Sequence, residues 1–320
     1  MRKLLFTLFI GLTTCGAIGQ QGVQFSQYIF NAQAINPAWF NHRSPISGQL
    51  ISRVQWLNYD GVPNTHAVMG QYNIGRRHTV GLIALNDHIS VFNKFQISGT
   101  YAYRINLGKK AQLAFGTRVG YSNSTANIEG GYLTHQYDPV LYSRRSVHHF
   151  SIGAGMYASG DRFFVGISAP DLFNNGLVQP GFEPKLQGAA YHLHYGVKVY
   201  QSIPFMFYPT MLVSVTPNAP LHANLDLNFL IQNGLWLTLG ASTDIGASAG
   251  IGYLFENNLR IVYSFGFALG PYTKYGGGVH ELTIGYTKDL FKNDFEKRKF
   301  IEKKGNFQSY KKQRRKRANY

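Results

Sequence analysis

Between Leu235 and Leu269 three successive runs alternate with a period of two, the mark of strands whose neighbouring side chains point to opposite faces. In the first, Leu235, Leu237, Leu239 and Ala241 share one face, and Trp236, Thr238, Gly240 and Ser242 the other. In the second, Ala247, Ala249, Ile251, Tyr253 and Phe255 stand opposite Ser248, Gly250 and Gly252. The third sets Leu259, Ile261, Tyr263, Phe265, Phe267 and Leu269 against Arg260, Ser264, Gly266 and Ala268. A water-soluble sandwich turns its polar face to solvent and seldom carries so long a row of large apolar residues opposite glycine and arginine. A transmembrane barrel does, with apolar residues towards lipid and small or polar ones towards the lumen.

The same alternation recurs along the chain. It predicts an all-β, antiparallel transmembrane barrel of about fourteen strands, at 48–57, 65–74, 78–87, 93–107, 111–122, 148–158, 162–169, 189–201, 207–216, 221–232, 234–243, 246–256, 259–269 and 279–289. The connections at 75–77, 108–110, 159–161, 202–206, 233 and 257–258 are short. Every long one, 123–147 and 170–188 above all, falls in the other set. Short turns at one end and long loops at the other is the polarity of a bacterial outer-membrane barrel, with the turns and both termini in the periplasm.

The amino terminus fits that compartment. Arg2 and Lys3 precede an apolar run from Leu4 to Leu12, and Ala17-Ile18-Gly19 offers the small residues a signal peptidase reads. Residues 1–19 are therefore expected to be a signal peptide, cleaved before Gln20. The rival, a lipoprotein signal using Cys15, lacks the small residue usual before the cysteine. Ordinary cleavage removes the only cysteine, and with it any disulfide or thiolate chemistry. No later segment has the run of about 18 apolar residues a membrane helix needs, so spanning requires a closed barrel. With 35 Gly, 23 Phe and 21 Tyr but only 14% charged residues, composition agrees, since soluble domains carry about a quarter charged.

The net charge of +16 is unevenly spread. From Phe291 onward twelve Lys and Arg face Asp294, Glu296 and Glu302, so the tail, residues 291–320, holds +9 of it. In another compartment such a tail reads as nucleic-acid binding. Export argues against that and leaves a solvated tail or a tether to a periplasmic partner.

Residues 20–47 break the alternation. Gln24-Phe25-Ser26-Gln27-Tyr28-Ile29-Phe30-Asn31 and Asn36-Pro37-Ala38-Trp39-Phe40 are rich in aromatics and amides. Asn31 and Asn36 would be costly in lipid, and Asn36-Pro37 is a turn signal that ends a strand. The segment is expected to sit in the periplasmic mouth of the barrel (48–290) as a plug or partner-docking element, with Phe25, Ser26, Gln27, Tyr28, Phe30, Asn31, Asn36, Pro37 and Ala38 as its contacts. The sequence from Gln24 to Phe40 resembles the opening signature of the PorP/SprF family of Bacteroidetes outer-membrane proteins. That resemblance implies association with the type IX secretion system, as an accessory part of secretion or gliding or as an anchor for a secreted, adhesin-like surface protein. Tyr132, Tyr137, Tyr142, Phe173 and Phe182 in the long loops would then meet the exported partner.

Other chemistry is sparse. His192 and His194 share a strand face, and His148-His149 opens another strand, yet no carboxylate or thiolate accompanies them as a metal set would need. No spacing singles out a nucleophile, base and acid, so no enzyme is expected. Gly276-Gly277-Gly278 has no following Lys-Ser/Thr and is no phosphate loop. No cofactor is expected. Arg53, Arg104, Arg118, Lys198 and Arg260 occupy lumen-facing positions, with Asp226 among the few acids. They suit either an internal network tying the wall to the plug or an anion-attracting pore, and the docking needs of the amide-rich segment favour the network. A channel or transporter for small solutes is the alternative function.

Overall fold

Strictly alternating sequences of β-branched and aromatic residues have no helical face to bury, and the chain satisfies its backbone in one closed sheet. The computed structural model describes residues 24–41, 44–57, 61–108, 111–126, 145–177, 189–201, 205–231, 234–255, 258–268 and 277–287. The strands are β1 (Ile46–Gln55), β2 (Asn64–Ile74), β3 (His78–Ile89), β4 (Phe92–Leu107), β5 (Ala111–Ala126), β6 (Arg145–Gly160) and β7 (Phe163–Leu177). After them come β8 (Tyr191–Val197, resumed at Tyr200–Gln201), β9 (Phe205–Val215), β10 (His222–Ile231), β11 (Leu235–Ser242), β12 (Gly246–Leu254), β13 (Leu259–Ala268) and β14 (Val279–Thr287). Each pairs antiparallel with its neighbours in chain order, and β14 returns to β1 from Ser47↔Thr287 to Gln55↔Val279. The ring of fourteen strands is thereby closed, with no sheet edge left to satisfy in lipid.

Burial is inverted relative to a soluble protein. On β14 Leu282 and Ile284 are 39% and 38% exposed, whereas Glu281 and Thr283 are 1% and 0%. Leu50, Val119, Ile167, Leu239 and Ile251 stand outward likewise. An outer face this apolar is stable only against hydrocarbon, and Leu282→Arg is therefore expected to cost about 2–4 kcal/mol of barrel stability. Denaturant titration in lipid vesicles checks this; an unchanged midpoint would mean that the outer face does not meet lipid.

Most strands fall within a few residues of the pattern-derived bounds, and the exception is instructive. The alternation places a strand at 162–169, yet β7 continues through Pro170 to Leu177. The register of β6 against β7 shifts between Ile152 and Ala154, a bulge that takes the proline out of the ladder. Gly153 faces it so closely that a Cβ there would come within 2.0 Å of the Pro170 carbonyl oxygen. Phe173 therefore stands on a strand, 69% exposed, rather than in a loop. β5 likewise runs on to Ala126, shortening the first long connection. Residues 1–19, expected to be a signal peptide, Tyr132, Tyr137, Tyr142, Phe182, Gly276 and the basic tail lie outside the described residues. The tight turns at the other end use left-handed backbone where glycine fits it, at Gly75 and Gly108.

Candidate functional site

The segment from Gln24 to Asn41 lies inside the ring. Its local fold follows from its short polar residues. Phe30 and Asn31 donate backbone N–H groups to the Gln27 carbonyl at 3.0 and 3.2 Å, forming a turn. One helical turn follows, α1 (Ala32–Ile35), closed by Asn36 N–H on the Ala32 carbonyl at 2.9 Å. Asn36 Oδ1 then accepts the Ala38 N–H at 2.8 Å, a side-chain turn that Pro37 pre-sets. The segment is thus compact without being a strand, and its remaining polar groups point at the wall.

Its attachment begins on β14. Glu281 accepts the backbone N–H groups of Ser26 and Gln27 at 2.8 and 3.0 Å, and lies 4.0 Å from the Arg53 guanidinium on β1. Gln27 Nε2 donates to the Glu281 carbonyl and to Ser264 Oγ, both at 3.0 Å. Across the lumen Tyr28 donates its hydroxyl to Thr210 Oγ1 on β9 at 2.8 Å. Gln33 Nε2 reaches the Gly70 carbonyl on β2 at 2.9 Å, and Asn36 Nδ2 the Met156 carbonyl on β6 at 2.9 Å. In return the wall donates to the segment: Arg118 Nη1 to the Ala34 carbonyl at 3.1 Å, Ser168 Oγ to Ile35 at 2.8 Å and Gln71 Nε2 to Trp39 at 2.9 Å. These contacts fall midway along several strands, so the segment is a crossbar through the middle of the barrel as well as a lining of its mouth.

Apolar contacts reinforce the bonds in three places. Phe25 packs with Ile51, Ala67, Met69 and Ile83; Phe30 with Met206, Leu230, Trp236 and Val262; Ala38 and Phe40 with Ala114, Tyr157 and Phe164. Wall glycines make the approach possible. A Cβ on Gly81 would come within 2.5 Å of Gln33 Nε2, one on Gly116 within 2.3 Å of Ala38 N, and one on Gly155 within 2.2 Å of Asn36 Oδ1.

All the residues singled out in the segment, from Phe25 to Ala38, are thus placed in the lumen. Those on the wall divide. Arg104 lies 4.7 Å from the Phe40 ring centre, Arg260 lies 4.4 Å from that of Phe30, and Arg118 bonds the segment's backbone. Asp226 is buried on β10 with no arginine in ion-pair range among the described residues, and Lys198 stands at the short-turn end. Among the described residues the ion pairs are Arg53–Glu281 and His222–Asp244, the latter at 3.4 Å. The arginines therefore meet rings and carbonyls more than acids. The pattern analysis missed Glu281, whose signal was an isolated carboxylate at a lumen-facing position of the last strand. His192 Nδ1 lies 2.7 Å from Ser214 Oγ, His194 stacks on Tyr157 and lies tilted against Phe164, and among the described residues no three His, Cys, Asp or Glu converge as metal ligands.

Fourteen closed strands, an apolar outer face and a lumen crossed by the chain's own N-terminal segment define an outer-membrane β-barrel protein. Residues 17–286 match the family described as type IX secretion system membrane protein PorP/SprF, and the chain belongs to that family. No curated protein matches it. Similar solved structures include a FadL homologue of Pseudomonas aeruginosa, with 11% identity over 87% of this chain and 97% of that one and a TM-score of 0.44. The toluene transporter TbuX of Ralstonia pickettii gives 9% identity over 86% and 94%, TM-score 0.44. The translocator domain of the autotransporter NalP from Neisseria meningitidis gives 11% over 82% and 96%, TM-score 0.39.

Proposed function

We propose that this barrel serves the type IX system as a closed anchor or docking component, holding an exported surface protein or a secretion component, rather than as a diffusion pore. The observation that carries this reading is the crossbar, bonded to β2, β6, β9 and β14 through Gln33, Asn36, Tyr28 and the Glu281 pin. A lumen filled by bonded chain is poorly suited to free solute flow and well suited to presenting a rigid platform. The short-turn end with both termini is assigned to the periplasm on the usual polarity of such barrels, and the basic tail becomes a tether on that side.

Pull-down of the protein from native outer membranes tests the reading. Recovery of type IX components or an exported surface protein supports it; recovery of neither contradicts it. The variant Asn31→Ala/Asn36→Ala is expected to leave a membrane-inserted, heat-modifiable barrel while weakening retention of that partner. Both side chains are fully buried, and Asn36 alone loses its bonds to Met156 and Ala38. Failure of the double variant to insert would mean that the segment is needed to build the wall.

A further inference from the structure

On the short-turn side of the crossbar the lumen holds a cavity of about 500 Å³. Phe30, Trp39 and Phe40 of the inner segment border it, with Tyr157, Phe164 and Trp236 of the wall. Gln33, Asn41, Gln49, Asn106 and Gln112 share the lining, so the cavity sets an aromatic wall beside polar groups, at a size that suits a small ligand. The charged residues on its lining are Arg260, Lys198 and Asp161, of which the last two lie at or beside the turns and oppose one another in sign.

Arg260 is the unusual one. It is only 6% exposed, its Nη2 donates to Gln49 Oε1 at 3.0 Å, and its guanidinium lies over the Phe30 ring. Its buried Nε has no acceptor, and no carboxylate among the described residues comes within ion-pair distance of it. A guanidinium has five donors in a fork that matches a carboxylate, and a buried cation without an anion is costly to maintain. We propose that this cavity binds a carboxylate carried on a short apolar or aromatic chain, the carboxylate paired with Arg260 and the chain lying against Phe30 and Trp236. A small free acid and the carboxyl end of a peptide share that chemistry.

The protein supplies its own reporter, because Trp39 and Trp236, two of its three tryptophans, border the cavity. Quenching of their fluorescence by 6-bromohexanoate is expected to saturate, at concentrations about tenfold or more below those needed for 6-bromohexanol, as a charge-assisted bond implies. A tripeptide ending in 4-bromophenylalanine, as free acid and as amide, separates the two sources: preference for the peptide acid over bromohexanoate assigns the site to a chain end, the reverse to a small acid. Arg260→Gln should abolish the preference for acid over alcohol. Because Arg260 also packs on the crossbar, Gln49→Glu provides a second variant, placing a carboxylate beside an intact Arg260 and removing the same preference. Equal quenching by acid and alcohol, no saturable quenching by either acid, or an unchanged preference in Gln49→Glu overturns the proposal.

Discussion

Replacing Gly116 by valine is expected to drive the inner segment off the wall while leaving the ring of strands closed. A Cβ at this position would lie 2.3 Å from the Ala38 nitrogen and 2.4 Å from the Pro37 carbonyl carbon, backbone atoms that cannot swing aside as a side-chain tip can. Overpacking a fitted contact costs about 1–3 kcal/mol even where neighbours relax, and here the relaxing element is the segment itself. Its strand neighbours Ala102 and Gly155 are small, so the wall has room for valine once the segment has moved. Chymotrypsin treatment of the purified barrel measures this: the variant should be cut near Phe30 and Phe40 and the wild type should not. Gly99→Val is the control, since a Cβ there meets nothing within 4 Å. Equal resistance of Gly116→Val and wild type would show that the segment is not packed on β5.

Glu281→Ala should be the most destabilising single change in the lumen. It leaves two backbone N–H groups, those of Ser26 and Gln27, without their acceptor, and it leaves Arg53 buried without its carboxylate. Removing one member of a buried ion pair costs about 3–5 kcal/mol, mostly the penalty of the orphaned charge. Glu281→Gln keeps an acceptor and should lose less. Combining it with Arg53→Met removes the orphan and should recover much of the loss, because a buried pair replaced as a unit is close to neutral. The denaturant midpoints of the three variants measure this; a double variant no more stable than Glu281→Gln would mean that the Arg53 contact contributes little.

The wall was legible because lipid imposes one rule on every strand, and runs such as Leu259–Phe267 obey it over their whole length. The strand expected at 162–169 ran on past Pro170 because the bulge opposite Gly153 absorbs the proline, a pairing visible only once two distant strands are aligned. The amides and aromatics of residues 24–40 marked them as something other than wall. How deep they reach was not legible, since that depends on which wall carbonyls and glycines lie opposite, as Gly81, Gly116 and Gly155 do. Glu281 was overlooked for the same reason: one carboxylate in an alternating strand reads as a polar lumen residue until the chain that it holds is in place beside it.

Planar-bilayer conductance tests most directly the claim that the chain closes its own barrel. The purified wild-type protein should insert without a steady open-pore current, and a variant lacking residues 24–41, or carrying Gly116→Val, should conduct. A steady open pore from the wild-type protein, unchanged by either alteration, would contradict the account.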